Sequence, residues 1–115
     1  MSLLEINKMQ PATYTVGITY DSSKELFYSG ANQTAIVLTE LFQKLGYIVL
    51  LLDTNLEGTA KCVNFPKLDV LFSNLYETKD LQILIDIDGY VNPSFRKKIA
   101  KKSFVYTLLK KYDSH

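Results

Sequence analysis

Tyr47-Ile48-Val49-Leu50-Leu51-Leu52, closed by Asp53, is the longest uninterrupted apolar run in the chain. It is far short of the ~20 residues a membrane span needs. The run lacks the alternation of a strand with one wet face, and it is short and β-rich. It therefore reads as a strand buried on both faces, the kind found in parallel sheets. Immediately before it, Ala35, Leu38, Phe42 and Leu45 recur at i, i+3, i+7 and i+10, with Leu41 widening the stripe. Gln33, Glu40, Gln43 and Lys44 take the other side, so residues 32–45 read as an amphipathic helix. Gly46 suits the left-handed residue that ends a helix, with apolar Tyr47 following.

The same alternation of buried strand and helix extends in both directions. Tyr14–Tyr20 is β-branched and aromatic and reads as a strand, with Gly17 marking a close approach by another backbone or a ligand. Residues 54–67 are polar, with a short edge strand expected over Lys61–Phe65. Leu68–Tyr76 suits either a helix or a strand. Leu81–Ile87 is a second apolar strand. Asn92-Pro93 supplies an N-cap with Pro at the first helical position, predicting a helix through Lys102 with Phe95, Ile99 and Ala100 inward. Ser103–Leu109 reads as the last strand. Residues 1–12 read as a loose leader and 13–115 as one domain. The expected fold is α/β, a Rossmann-like three-layer α/β/α unit with a mainly parallel sheet of four to five strands.

Composition narrows the function classes. Leu, Ile, Val and Phe account for 38 of 115 residues and charged residues for 22%, which excludes intrinsic disorder. One Cys (Cys62) and one His (His115) exclude a His/Cys metal cluster, and the terminal His excludes a Ser/His/Asp triad in practice. No metal and no cofactor is expected. The N-terminus lacks the pattern of a secretory signal, so a cytoplasmic protein is the default expectation, with no membrane span. Residues 1–91 carry 6 Lys against 11 Asp and Glu, a charge of −5, whereas residues 92–115 carry 7 Lys and Arg against 1 Asp, +6. The basic run Arg96, Lys97, Lys98, Lys101 and Lys102 reads as the solvated face of a helix rather than a nucleic-acid footprint.

In parallel sheets ligands sit beyond the carboxyl ends of the strands. Phe27-Tyr28-Ser29-Gly30-Ala31-Asn32-Gln33 puts Gly and small residues just before a helix, where free N–H groups favour an anion. The structural alternative is that Ser29 and Asn32 cap the helix and Gly30 makes the turn. The dinucleotide fingerprint Gly-x-Gly-x-x-Gly and the Walker A loop are both absent. Asp53 stands where a ribose-binding acid would stand, and without those glycines it reads as a loop cap. Asp86-Ile87-Asp88-Gly89 at the end of an apolar strand resembles the first motif of haloacid-dehalogenase-like phosphatases. That resemblance implies Asp86 as nucleophile and Asp88 as general acid. The motif usually opens its domain, whereas here 85 residues precede Asp86 and 26 follow Gly89.

A wider resemblance rests on Tyr28-Ser29-Gly30-Ala31-Asn32-Gln33, the helix after it, and Leu45-Gly46-Tyr47-Ile48-Val49-Leu50-Leu51-Leu52-Asp53. This stretch is similar to the start of GT-B glycosyltransferases, and in particular to a poorly characterised glycosyltransferase-like group with Ser/Asn-Gly-x-Asn-Gln in that loop. The order of elements over about residues 14–109 fits their N-terminal Rossmann-like domain. The resemblance implies a cleft for acceptor and sugar phosphate, with Ser29, Gly30, Asn32, Gln33 and Asp88 as binding residues and the catalytic residues unassigned. It also implies a second domain that holds the nucleotide sugar. The expected function is thus the acceptor-side portion of a truncated glycosyltransferase, inactive alone, with nucleotide sugar and acceptor as partners only once a second domain completes it. The alternatives are a non-catalytic anion- or small-ligand-binding module and a haloacid-dehalogenase-like phosphatase fragment. Self-association through an exposed apolar sheet edge near Thr107-Leu108-Leu109 is a further expectation.

Overall fold

The computed structural model describes residues 14–24, 29–55 and 70–108. The leader, the edge strand expected over Lys61–Phe65 and the end of the chain from Leu109 lie outside the described residues. Five strands form one sheet: β1 (Thr15–Tyr20), β2 (Ile48–Asp53), β3 (Leu71–Asn74), β4 (Leu81–Ile87) and β5 (Ala100–Tyr106). Their spatial order is β3-β2-β1-β4-β5 and every pair is parallel. Helix α1 (Gly30–Lys44) connects β1 to β2, and helix α2 (Pro93–Ile99) connects β4 to β5.

Strand parity sorts the core onto two faces. Val16, Ile18 and Tyr20 of β1, Val49 and Leu51 of β2, and Ile85 and Ile87 of β4 pack with Ala35 and Ile36 of α1. Leu52, Leu84 and Leu81 pack on the opposite face with Val91 and with Ile99 of α2. The central strands are covered on both sides, which is why their sequences run apolar without alternation. Gly17 sits under this second face. A Cβ there would lie 2.6 Å from Leu52 Cδ1 and 2.7 Å from Leu81 Cδ1. The close approach that Gly17 signalled is therefore made by two leucine side chains.

The end of α1 follows its sequence signals. Gly46 has φ of +94°, its N–H donates to the Gln43 carbonyl, and the Tyr47 N–H donates to the Phe42 carbonyl, each at 3.0 Å. The Tyr47 and Phe42 rings meet edge to face at 5.5 Å, the apolar contact that accompanies this type of cap. The buried face of α1 matches the expected stripe at Ala35, Leu38 and Phe42, which pack into the core, and departs from it elsewhere. Asn32, Ala35, Ile36 and Thr39 point at the sheet, whereas Leu41 is 49% and Leu45 63% exposed. Leu45 is the C-cap, one residue past the end of the helix. Thr39 is tolerated at full burial because its hydroxyl donates to the Ala35 carbonyl at 2.7 Å.

Three other boundaries are corrected. Residues 71–74 are strand and Leu75–Glu77 a single 3-10 turn, which resolves the open segment. Helix α2 stops at Ile99 rather than Lys102, and β5 begins at Ala100 rather than Ser103. Ala100 is already extended (φ −140°, ψ 145°) and pairs with Leu81 of β4. The ladder to β4 outweighs the helix preference of the lysine-rich stretch. No helix among the described residues is long and apolar enough to cross a membrane.

Candidate functional site

The order β3-β2-β1-β4-β5 makes the chain depart in opposite directions from β1, so the loops after β1 and β4 diverge and leave a crevice at their carboxyl ends. That crevice has a volume of about 40 Å³, and Thr19, Asp21, Lys24, Thr54, Ile87 and Tyr90 are among its walls. At ~10–15 Å³ per water-sized site, it holds a few waters or the head of a phosphate-sized group. At its mouth the ammonium of Lys24 lies 5.9 Å above the ring of Tyr90, which is 67% exposed.

Asn32 and Ser29 border this crevice but spend their polar atoms inside the fold. The Ser29 hydroxyl accepts from the Asn32 N–H at 3.1 Å, capping α1. Asn32 is 1% exposed. Its Oδ1 accepts from the Asp21 N–H at 3.0 Å, and its Nδ2 donates to the Asp21 and Lys24 carbonyls at 2.8 and 3.2 Å. Of the two caps expected, Ser29 is one and Asn32 is a clamp on the β1 loop. Gly30 is the first helical residue rather than the turn. It is exposed, and a Cβ there would make only ordinary contact with Leu108 at 3.6 Å. Gly30 and Gln33 line a different feature, an open groove of about 380 Å³ between α1 and the end of β5.

The two carboxylates after β4 also act within the fold. Asp86 is fully buried, its Oδ1 accepting from the Tyr90 N–H at 3.1 Å and its Oδ2 from the Val91 N–H at 2.8 Å. Arg96 lies at 3.4 Å from Oδ2 and is only 16% exposed, so it departs from the solvated basic face expected of it. Burial raises the Asp86 pKa above the ordinary aspartate value. The N–H groups and Arg96 oppose that rise. Asp88 takes a left-handed conformation (φ 64°) followed by Gly89 (φ 72°). Its N–H donates to the Tyr106 carbonyl at 2.9 Å and its Oδ1 accepts from the Leu108 N–H at 3.0 Å, tying the turn to the end of β5. Neither Asp86 nor Asp88 lines the crevice.

Asp53 closes β2 with no exposed surface. Its Oδ1 accepts from the Ser22 and Asn55 N–H groups at 3.1 and 3.0 Å, linking the loops after β1 and β2, and its Oδ2 has no partner. Among the described residues no three His, Cys, Asp or Glu side chains converge as a metal site would require. Of the remaining basic run, Lys97 and Lys98 are exposed on α2, whereas Lys101 and Lys102 are exposed on β5. Sequence reasoning passed over Lys24, Thr54 and Tyr90, whose only signal is their place in loops that follow parallel strands. Comparison with protein-family models, with curated proteins and with solved structures finds no match to this chain.

Proposed function

We propose that the crevice between the β1 and β4 loops receives the anionic group of a small polar ligand. On this reading the chain is the acceptor-side half of a glycosyltransferase that moves a sugar from a nucleotide sugar once a second domain supplies the donor site. The observation that carries the proposal is the Lys24–Tyr90 pair at the mouth of a crevice at the switch point of the sheet. Lys24 offers a mobile cation for a phosphate oxygen, and the exposed Tyr90 ring offers an apolar face for a sugar ring. A crevice of about 40 Å³ seats only the head of such a ligand, so its bulk lies outside, where a second domain would close over it. No cofactor is invoked.

A non-catalytic anion-binding module is favoured by a separate observation. Ser29, Asn32 and Asp86 spend their hydrogen bonds inside the fold and Asp88 does not line the crevice, so none of them serves it as a catalytic base. The phosphatase reading fares worst, since both oxygens of Asp86 already accept hydrogen bonds and no surface of the side chain is open to a substrate. Titration calorimetry of the chain with inorganic phosphate and with UDP-glucose tests the proposal. Weak, mutually competitive binding that Lys24→Ala diminishes, with no sugar release, is expected. Absence of binding refutes the crevice, and sugar release by this chain alone refutes the half-enzyme.

A further inference from the structure

Among the described residues β5 is one edge of the sheet, and residues 101–107 are all exposed. Phe104, Val105 and Tyr106 are 55%, 46% and 46% exposed. We propose that this edge pairs with β5 of a second copy of the chain, antiparallel about a twofold axis at Ser103, joining the two sheets into one.

The backbone fixes which groups are available. The Asp88 N–H bonds to the Tyr106 carbonyl, so Tyr106 turns its backbone groups toward β4. Alternation along the strand turns Phe104 and Lys102 the same way and points those of Lys101, Ser103 and Val105 off the free edge. An axis normal to the sheet keeps each face on its own side, so only residues of like parity can stand opposite one another. Centring on Ser103 pairs the whole of β5 from Ala100 to Tyr106. Ser103 then exchanges hydrogen bonds with its own copy, as Lys101 does with Val105. Lys102 of each copy stands opposite Phe104 of the other, where the ammonium can reach the ring face.

The neighbouring registers are worse. A shift of one step puts Lys102 against Lys102 in the close, non-hydrogen-bonded pair, about 4.5 Å between Cα atoms, where like charges destabilise. The opposite shift sets Phe104 against Phe104 and Lys102 against Tyr106, which gives up the reciprocal Lys102–Phe104 contacts and the pairing of Ala100. Half-exposed aromatic side chains leave roughly 100 Å² each. Strands joined edge to edge keep both faces of the sheet open, so the contact buries only part of these side chains and stays below the ~1,000 Å² of a stable interface, which makes it a weak, concentration-dependent pair. Two lysines on an edge strand are also a common guard against such pairing. In the centred register they do not act as such, because neither meets its own kind.

Sedimentation equilibrium of the full chain from about 1 µM to about 1 mM tests this across the range of weak interfaces. A monomer–dimer equilibrium from 13.1 kDa to twice that mass is expected. Val105→Pro deletes an outward N–H and leaves the β4 ladder intact, so a folded variant with an equilibrium weakened about tenfold or more is expected. In a Cys62→Ser background, a mixture of Lys102→Cys and Phe104→Cys chains should cross-link on oxidation, because non-hydrogen-bonded antiparallel partners lie about 4.5 Å apart between Cα atoms with their Cβ atoms close, within disulfide reach. A monomer throughout the range overturns the proposal. So does a dimer indifferent to Val105→Pro, or a mixture of the Lys102→Cys and Phe104→Cys chains that dimerises without cross-linking.

Discussion

Replacing Asn32 separates a structural clamp from a binding residue. The side chain is 1% exposed and makes three hydrogen bonds to the backbone of the β1 loop, at 3.0, 2.8 and 3.2 Å. Asn32→Ala removes all three. At a net ~0.5–1.5 kcal/mol each, and with water able to reach the Lys24 carbonyl, a loss of about 2–3 kcal/mol is expected. Asn32→Asp is nearly isosteric and keeps the acceptor for the Asp21 N–H. It turns an oxygen toward two carbonyls and buries a charge, so at neutral pH it should cost about 3–4 kcal/mol, more than the truncation. Protonation gives that carboxyl a donor again, so part of its deficit should return on acidification, a signature that Ala cannot show. Urea unfolding followed by far-ultraviolet circular dichroism at pH 7 and pH 5 measures both variants. An Asn32→Ala protein within about 0.5 kcal/mol of wild type would refute the clamp, since a lost buried donor and acceptor cannot be that cheap. An Asp variant no worse than Ala at pH 7 would refute it equally.

Gly17→Ala should destabilise by about 1–3 kcal/mol in the same assay, since its Cβ intrudes on buried Leu52 and Leu81 and overpacking outweighs the gain in strand propensity. Asp53→Ala should cost about 1–3 kcal/mol through the Ser22 and Asn55 N–H groups it abandons. Asp53→Asn keeps that acceptor and removes the charge, and should unfold at a higher urea midpoint than the Ala variant. Asp86, whose folded pKa lies above the ordinary value through burial, binds its proton more tightly folded than unfolded. Its contribution is therefore fully present below pH 3.8 and lost as pH rises through the raised folded value. Against Asp86→Asn as reference, wild type should gain relative stability as pH falls through that window, and a constant difference would count against the assigned cause.

The central strands were legible because doubly buried strands run apolar, as Val49–Leu52 and Ile83–Ile85 do. The caps at Gly46 and Asn92-Pro93 were legible because each supplies a backbone need that few residues meet. The face of α1 was legible only in part, at Ala35, Leu38 and Phe42, since a buried Thr39 reads as polar until its hydroxyl is seen bonding back to Ala35. The end of α2 was not legible, since only the partner strand decides between helix and ladder. At the site, the small polar residues of Ser29–Gln33 mark a helix start equally well whether they serve a ligand or the fold. Asn32 could be assigned only once Asp21 and Lys24 were seen folded over it. Lys24, Thr54 and Tyr90 come from three separate loops, so no spacing in the chain could have joined them.

Amide chemical-shift mapping of the full chain titrated with inorganic phosphate tests most directly whether the crevice is the ligand site. Shifts confined to Asp21–Lys24, Ala31, Thr54 and Ile87–Tyr90, saturating together and lost in Lys24→Ala, are expected. Shifts confined to Lys97, Lys98, Lys101 and Lys102, scaling with ionic strength alone, would contradict the assignment and leave the crevice without a ligand.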